Sequence, residues 1–225
     1  MAIGTLGEHS LHAALKQRYD PTGEYHEVPI GRYIADILLP DGGIIEIQTA
    51  DFHRLRAKLA AFLPEHIVTV VCPILHTKTL AWLDAETGEL LRSKRSPKRW
   101  TIYNAFLELY SIKAQLAEPN LRVRIVLLDV TEYRYSTRAN RKGYARTDVI
   151  PEEVLGEMSL NCVADYAKLV PDELPKRFTR EDYQRAAKIS RKAAQCAVNT
   201  LATLGILDKV GKDGNTIIYT VKNDE

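Results

Sequence analysis

Residues 33–49 read Tyr-Ile-Ala-Asp-Ile-Leu-Leu-Pro-Asp-Gly-Gly-Ile-Ile-Glu-Ile-Gln-Thr, two apolar runs flanking Pro40-Asp41-Gly42-Gly43. Turn residues between β-prone runs predict a hairpin with strands over 33–39 and 43–49. Ala35, Ile37 and Leu39 then share one face of the first strand, and Asp36 points to the other. On the returning strand Glu46 and Gln48 stand opposite Ile45 and Ile47. A hairpin centred on Asp41 pairs residues whose numbers sum to 82, which sets Asp36 directly across from Glu46 on one face. A loop of even length would turn Glu46 to the other face instead. Two facing carboxylates repel each other unless something positive lies between them. A divalent cation resolves the conflict, and oxygen ligands suit Mg2+ or Mn2+. The alternative is a pair of solvent-facing carboxylates, which an antiparallel sheet also permits.

Working outward, residues 7–19 carry Leu11, Ala14 and Leu15 at helical spacing, and Pro21-Thr22-Gly23 ends that helix. A strand is predicted over 25–30. Beyond the hairpin, Phe52, Leu55, Leu59 and Phe62 mark a helix over 52–63. The continuous apolar run 67–75 reads as a strand buried on both faces. Residues 80–83 and 90–91 predict a hairpin across Glu86-Thr87-Gly88, followed by a helix over 102–116 and a buried strand over 123–130. The polar, basic stretch 133–144 reads as an exposed loop, and Pro171 and Pro175 as a linker. The expected division is therefore an α/β core over 1–133, a basic loop and connecting segment over 134–175, and a small domain over 176–225.

Asp36 followed after ten residues by Glu46-Ile47-Gln48, within the order helix–three strands–helix–strand, resembles the PD-(D/E)XK nuclease superfamily. That resemblance implies a restriction-endonuclease-like mixed sheet flanked by helices. It further implies that Asp36, Glu46 and the Ile47 carbonyl bind Mg2+ (or Mn2+) for hydrolysis of a phosphodiester. Some members also place a glutamate on the first helix, a part that Glu8 would fill. Thr5-Leu6-Gly7-Glu8 equally fits a capping box, with Thr5 as N-cap and Glu8 three residues on. Two features depart from the family pattern. Ala35 stands where a proline is usual, and Gln48 replaces the lysine that orients water and opposes developing negative charge. Glutamine hydrogen-bonds water without supplying charge. Other members recruit a basic residue from the following helix, where Arg56 and Lys58 flank the apolar stripe.

At the other end, Thr179 caps a helix running to about 187, and Ser190 caps a second over 191–204 that Gly205 stops. Residues 206–210 and 216–221 form a hairpin around Gly211-Lys212-Asp213-Gly214-Asn215. This order resembles winged helix-turn-helix domains. The resemblance implies DNA contacts from Arg191, Lys192, Gln195 and Asn199 on the second helix and from Lys209 and Lys212 on the wing. The alternative is a winged helix that mediates protein contacts.

Composition agrees with a globular chain: 225 residues, 45% hydrophobic and 27% charged. Residues 176–225 hold ten Lys/Arg against six Asp/Glu, a basic excess suited to nucleic acid. Further basic residues cluster at 92–99 and 134–146. Cys72, Cys162 and Cys196 form no CxxC pair, which argues against a thiolate zinc site and fits a reducing cytoplasm. His9 and His12 are three apart on a helix without a ligand set, and there is no P-loop, GxSxG or GxGxxG. No apolar run approaches a membrane span, and the first residues lack a signal-peptide pattern. The expected function is a metal-dependent DNA endonuclease anchored by its winged helix, with DNA and a second copy of the chain as candidate partners. The alternative is a nuclease-fold DNA-binding or regulatory protein that has lost catalysis, a reading motivated by Gln48.

Overall fold

The computed structural model describes residues 10–136 and 147–222. The hairpin forms as expected between β2 (Tyr33–Leu38) and β3 (Ile44–Ile47), with Ile37 opposite Ile45 and Leu38 opposite Ile44. These pairs carry the sum of 82 that sets Asp36 across from Glu46. Gly42, at φ 81°, supplies the left-handed residue of the turn, and the Asp41 side chain accepts the Gly43 N–H at 2.9 Å. Helix α1 (Ser10–Tyr19) and β1 (His26–Ile30) precede the hairpin.

After β3 a 3-10 turn at Phe52–Arg54 leads into α2 (Leu55–Phe62), whose inner face is the predicted stripe. Two apolar layers form. Leu11 and Leu15 of α1 pack with Ile37, Ile45, Ile47 and Val71 on one face of the sheet. Phe52, Leu55, Leu59 and Phe62 pack with Ile44, Val68 and Val70 on the other. The sheet is therefore sandwiched, α1 below and α2 above.

Strand β4 (Val68–Asp84) is far longer than the apolar run predicted. It pairs in parallel with β3 through Val71, and with β6 (Leu121–Ser136) along its whole length. Strand β5 (Leu90–Arg95) joins β4 antiparallel at Thr79–Leu83, on the edge that β3 leaves. Between β3 and β5 that edge of β4 carries no strand. The Val71 carbonyl accepts the Gln48 N–H, so Pro73, two residues on, directs its missing donor toward the same edge.

Three expectations need correction. The helix expected over 102–116 is instead a 3-10 turn (Ile102–Ala105), α3 (Phe106–Leu109) and a second 3-10 turn (Tyr110–Ile112). The Ser111 hydroxyl donates to the Glu108 carbonyl and competes with a regular helical bond. The stretch 133–144, read as a loop, begins as strand: β6 runs to Ser136, and residues 137–146 lie outside those described. Part of the presumed connecting segment is β7 (Thr147–Leu160), antiparallel to β6 at the sheet edge. Pro151 and Gly156 hide it from pattern reading, and both are tolerated because an edge strand needs only one partner. The sheet order is β1-β2-β3-β4-β6-β7, with β5 beside β4. The chain is thus a mixed α/β structure with helices on both faces of a large sheet.

The C-terminal residues form β8 (Phe178–Thr179), α4 (Arg180–Ala187), α5 (Arg191–Thr203), β9 (Leu207–Asp213) and β10 (Thr216–Val221), with strand order β8-β10-β9. The expected caps are present: Thr179 Oγ1 accepts the Asp182 N–H at 3.3 Å, and Ser190 Oγ the Ala193 N–H at 3.2 Å. Gly205, at φ 73°, stops α5. Ala193, Ala194, Ala197 and Leu201 join the apolar layer of α2 and α3, so the core runs unbroken across the 176 boundary.

Candidate active site

The β2–β3 ladder stops one residue short of Asp36 and Glu46, and the two side chains take over its hydrogen bonds. Glu46 Oε1 accepts the Asp36 N–H at 3.2 Å, and Asp36 Oδ2 accepts the Ile47 N–H at 2.8 Å. Each carboxylate thus fills a ladder position that a carbonyl would hold, as the strands part. The register sets the two across from each other, but the expected common face of Ala35, Ile37 and Leu39 does not hold, because Ala35 packs in the α2 layer and Ile37 and Leu39 in the α1 layer.

A basic residue reaches each carboxylate from an opposite face. From α2, Lys58 Nζ donates to Glu46 Oε2 at 2.5 Å. From α1, His12 Nε2 lies 3.3 Å from Asp36 Oδ2. Of the two basic candidates on α2, Lys58 arrives and Arg56 does not, because Arg56 Nε donates to the Ser111 carbonyl at 2.6 Å. His12 was considered in sequence only as a zinc ligand. Its position one residue after the inward-facing Leu11 was the available sign that it borders the sheet edge.

The pair is electrostatically split. Burial opposes ionisation of Asp36, but the His12 hydrogen bond, the Ile47 N–H and the Lys58 charge outweigh it and hold the group below its ordinary range. Burial, and then the negative charge of Asp36, push Glu46 up to about 7 against the pull of Lys58. Glu46 is 1% exposed, so water screens little of this conflict. A proton or a cation at Glu46 relieves it.

Two carboxylates with a neighbouring main-chain carbonyl are hard oxygen donors of the kind magnesium takes while keeping several waters. Asp36 Oδ1 has no hydrogen-bond partner among the described residues, while Glu46 Oε2 is taken by Lys58 Nζ, so an ion there would have to displace that ammonium. The residues fit such an ion. Among the described residues no group of three or more His, Cys, Asp and Glu that could hold a metal ion is assembled.

Gln48 is half-buried, and its amide donates to the Ala50 carbonyl, turned along its own strand. Glu8 lies outside the described residues. Of the residues expected to contact DNA, Arg191, Lys192 and Gln195 are exposed on one stripe of α5, with Asn199 half-buried behind them. Lys209 and Lys212 are exposed on β9. Arg191 and Gln195 share a groove with Arg180 and Tyr219. These residues stand apart from the Asp36–Glu46 pair rather than joining it.

A family described as "Domain of unknown function (DUF8091)" matches residues 9–161. The chain belongs to that family. The DUF8091 span runs from α1 through β7 and so contains Asp36, Glu46, Lys58 and His12, while the C-terminal unit lies beyond it. An "Uncharacterized protein" of Treponema pallidum (strain Nichols) is 28% identical over 224 residues, covering 97% of this chain and 87% of the relative. That likeness extends past the DUF8091 span into the C-terminal unit. No solved structure matches the chain.

Proposed function

We propose that the chain is a metal-dependent DNA endonuclease of the PD-(D/E)XK type, anchored on DNA by a C-terminal winged helix. The observation that carries this reading is the braced Asp36–Glu46 pair at the parting of two strands, with Lys58 delivered to it from the next helix. The α1–β1–β2–β3–α2–β4 order supports the same reading, and β8–α4–α5–β9–β10 with strand order β8-β10-β9 supports a winged helix. Among the described residues no helix is long and apolar enough to cross a bilayer.

Asp36, Glu46 and the Ile47 carbonyl would hold magnesium or manganese, which when bound polarises a phosphate and acidifies a water. Asp36 stays ionised throughout. Glu46 would have to be ionised to hold such an ion, so loading would improve as pH rises through about 7. Lys58, released from Glu46, supplies the positive charge that Gln48 lacks, opposing the negative charge that develops on the phosphate oxygens. His12 orients the Asp36 carboxylate, and Gln48 is left to hydrogen-bond water.

A second reading, a DNA-binding protein without turnover, is favoured by the Lys58–Glu46 contact if it stays closed. One assay separates the two: supercoiled, linear and branched DNA incubated with magnesium or manganese at pH 8. The nuclease reading expects cleavage that falls about 100-fold or more in Asp36→Ala and Glu46→Ala, at least the cost of losing a supporting ligand contact. Salt-sensitive DNA binding with no cleavage under any of these conditions contradicts it.

A further inference from the structure

The basic stretch at 92–99 takes no part in the site above, yet the fold brings it back toward it. After β5 the chain runs along the strand-free edge of β4: Ser96 N–H donates to the Lys78 carbonyl at 2.7 Å and Trp100 N–H to the His76 carbonyl at 3.0 Å. His76 Nδ1 in turn lies 2.7 Å from the Trp100 carbonyl and fixes that end. Strand β3 approaches the same edge from the other direction and stops beside Val71. At about 3.3 Å per residue, the five residues from Val71 to His76 put Trp100 roughly 16 Å along the sheet from the end of β3.

Beside this strap is a cavity of about 290 Å³, walled by Leu75, Leu80 and Trp100 and edged by Lys78, Lys98 and Arg134. That volume is at the low end of small-ligand pockets, enough for one planar group and far too small for a duplex. Trp100 is 39% exposed, an aromatic face left open to solvent. Glu132 holds two of the three cations in place, bonding Lys78 at 2.6 Å and Arg134 Nε at 2.7 Å. Lys78, Lys98 and Arg134 thus line the pocket with basic side chains. The pattern continues along the strands. Trp82 pairs with Arg92 on β5 and Arg134 on β6, whose guanidinium carbons lie 3.8 and 5.4 Å from its ring centroid.

We infer that this face binds single-stranded DNA, with one base stacked on Trp100, the adjoining phosphate on Lys98, and a phosphate about 20 Å further along β4 near Arg92. Alternating aromatic faces and cations along a strand is the chemistry that holds unpaired nucleotides, because every base offers a π-face and every linkage a negative charge. A free anion would use the cations but leave Trp100 and the Trp82 row unexplained. The inference rests on the nuclease reading and narrows its substrate to DNA with an unpaired segment next to the cleaved linkage.

The test is binding of a fluorescein-labelled ten-residue oligothymidylate in EDTA, read by anisotropy, so that cleavage plays no part. Trp100→Ala is expected to weaken binding about tenfold, Trp100→Phe to restore most of it, and Lys98→Glu to weaken it several-fold. In Trp82→Phe, where Trp100 is the sole tryptophan, the oligomer is expected to quench emission saturably. Unchanged affinity in both Trp100→Ala and Lys98→Glu overturns the inference, as does equal dependence on Trp100 for a blunt duplex. Tighter binding of oligouridylate than of oligothymidylate overturns the assignment to DNA. Cleavage that persists without Trp100-dependent binding removes this inference alone. Trp100-dependent binding without any cleavage leaves it standing and removes the nuclease reading.

Discussion

Glu46 and Glu132 are both buried strand glutamates, each with a lysine ammonium within 2.6 Å, yet their acidities move in opposite directions. Burial opposes ionisation of both. At Glu132 the hydrogen bonds and charges of Lys78 and Arg134 prevail and lower its pKa. At Glu46 a single lysine faces the combined cost of burial and a second carboxylate, and the pKa rises to about 7. Glu132 belongs to a closed charge group that positions two cations. Glu46 belongs to an open one, short of positive charge. In the proposed reading that shortage, not the presence of an acidic residue, is what a divalent cation would relieve.

The largest expected difference between the two is catalytic. Lys58→Met is expected to cut DNA cleavage about 100-fold, the usual cost of removing one group aimed at developing negative charge. Lys78→Met, which leaves Arg134 on Glu132, is expected to lower it less than tenfold. Equal losses in the two variants would erase the distinction drawn here.

A second contrast lies in stability against pH. Glu46 has its pKa raised in the fold, so the folded chain holds that proton when the unfolded chain has lost it. The stabilisation is complete below the ordinary value of 4.5 and is lost as pH rises through about 7. The full swing is about 3 kcal/mol. Asp36 and Glu132, whose pKa values are lowered, behave in the opposite sense and lose their contribution only as pH falls into the acid range. Denaturant melts from pH 5 to 8 should therefore show a decline that Glu46→Gln flattens and Glu132→Gln does not. A decline that survives in Glu46→Gln would place its origin elsewhere.

The smallest effect concerns Arg56, whose guanidinium is tied to the Ser111 carbonyl. Arg56→Ala is expected to change cleavage less than threefold; a loss matching that of Lys58→Met would mean that the wrong cation of α2 has been assigned to the site.

The hairpin and its register were legible because Pro40-Asp41-Gly42-Gly43 admits few turns and a buried face permits one register. The caps at Thr179 and Ser190 were legible for the same local reason. What escaped was the length of β4 and β6 and the existence of β7. Residues 131–135 and 148–160 are largely polar because their strands are paired in the sheet without being buried on both faces, and polarity alone reads as loop. At the site, alternation along β2 failed at Asp36, where Ala35 and Ile37 bury in opposite layers, whereas the pairing of Asp36 with Glu46 followed from the hairpin register. The choice between Lys58 and Arg56 did not, since both flank the same helical stripe and only the position of Ser111, far along the chain, decides between them. The strap from Ser96 to Trp100 was equally hidden, because its partner is the edge that β3 leaves on β4.

The central claim is that the Asp36–Glu46 pair is short of one cation and takes a divalent ion. The most direct test is anomalous diffraction from crystals soaked in manganese at pH 8. The account predicts a peak between Asp36 and Glu46, within about 2.2 Å of oxygens from both carboxylates, with Lys58 drawn away and no peak at Glu132. No peak at the pair, or Lys58 still seated on Glu46 at saturating manganese, would contradict it.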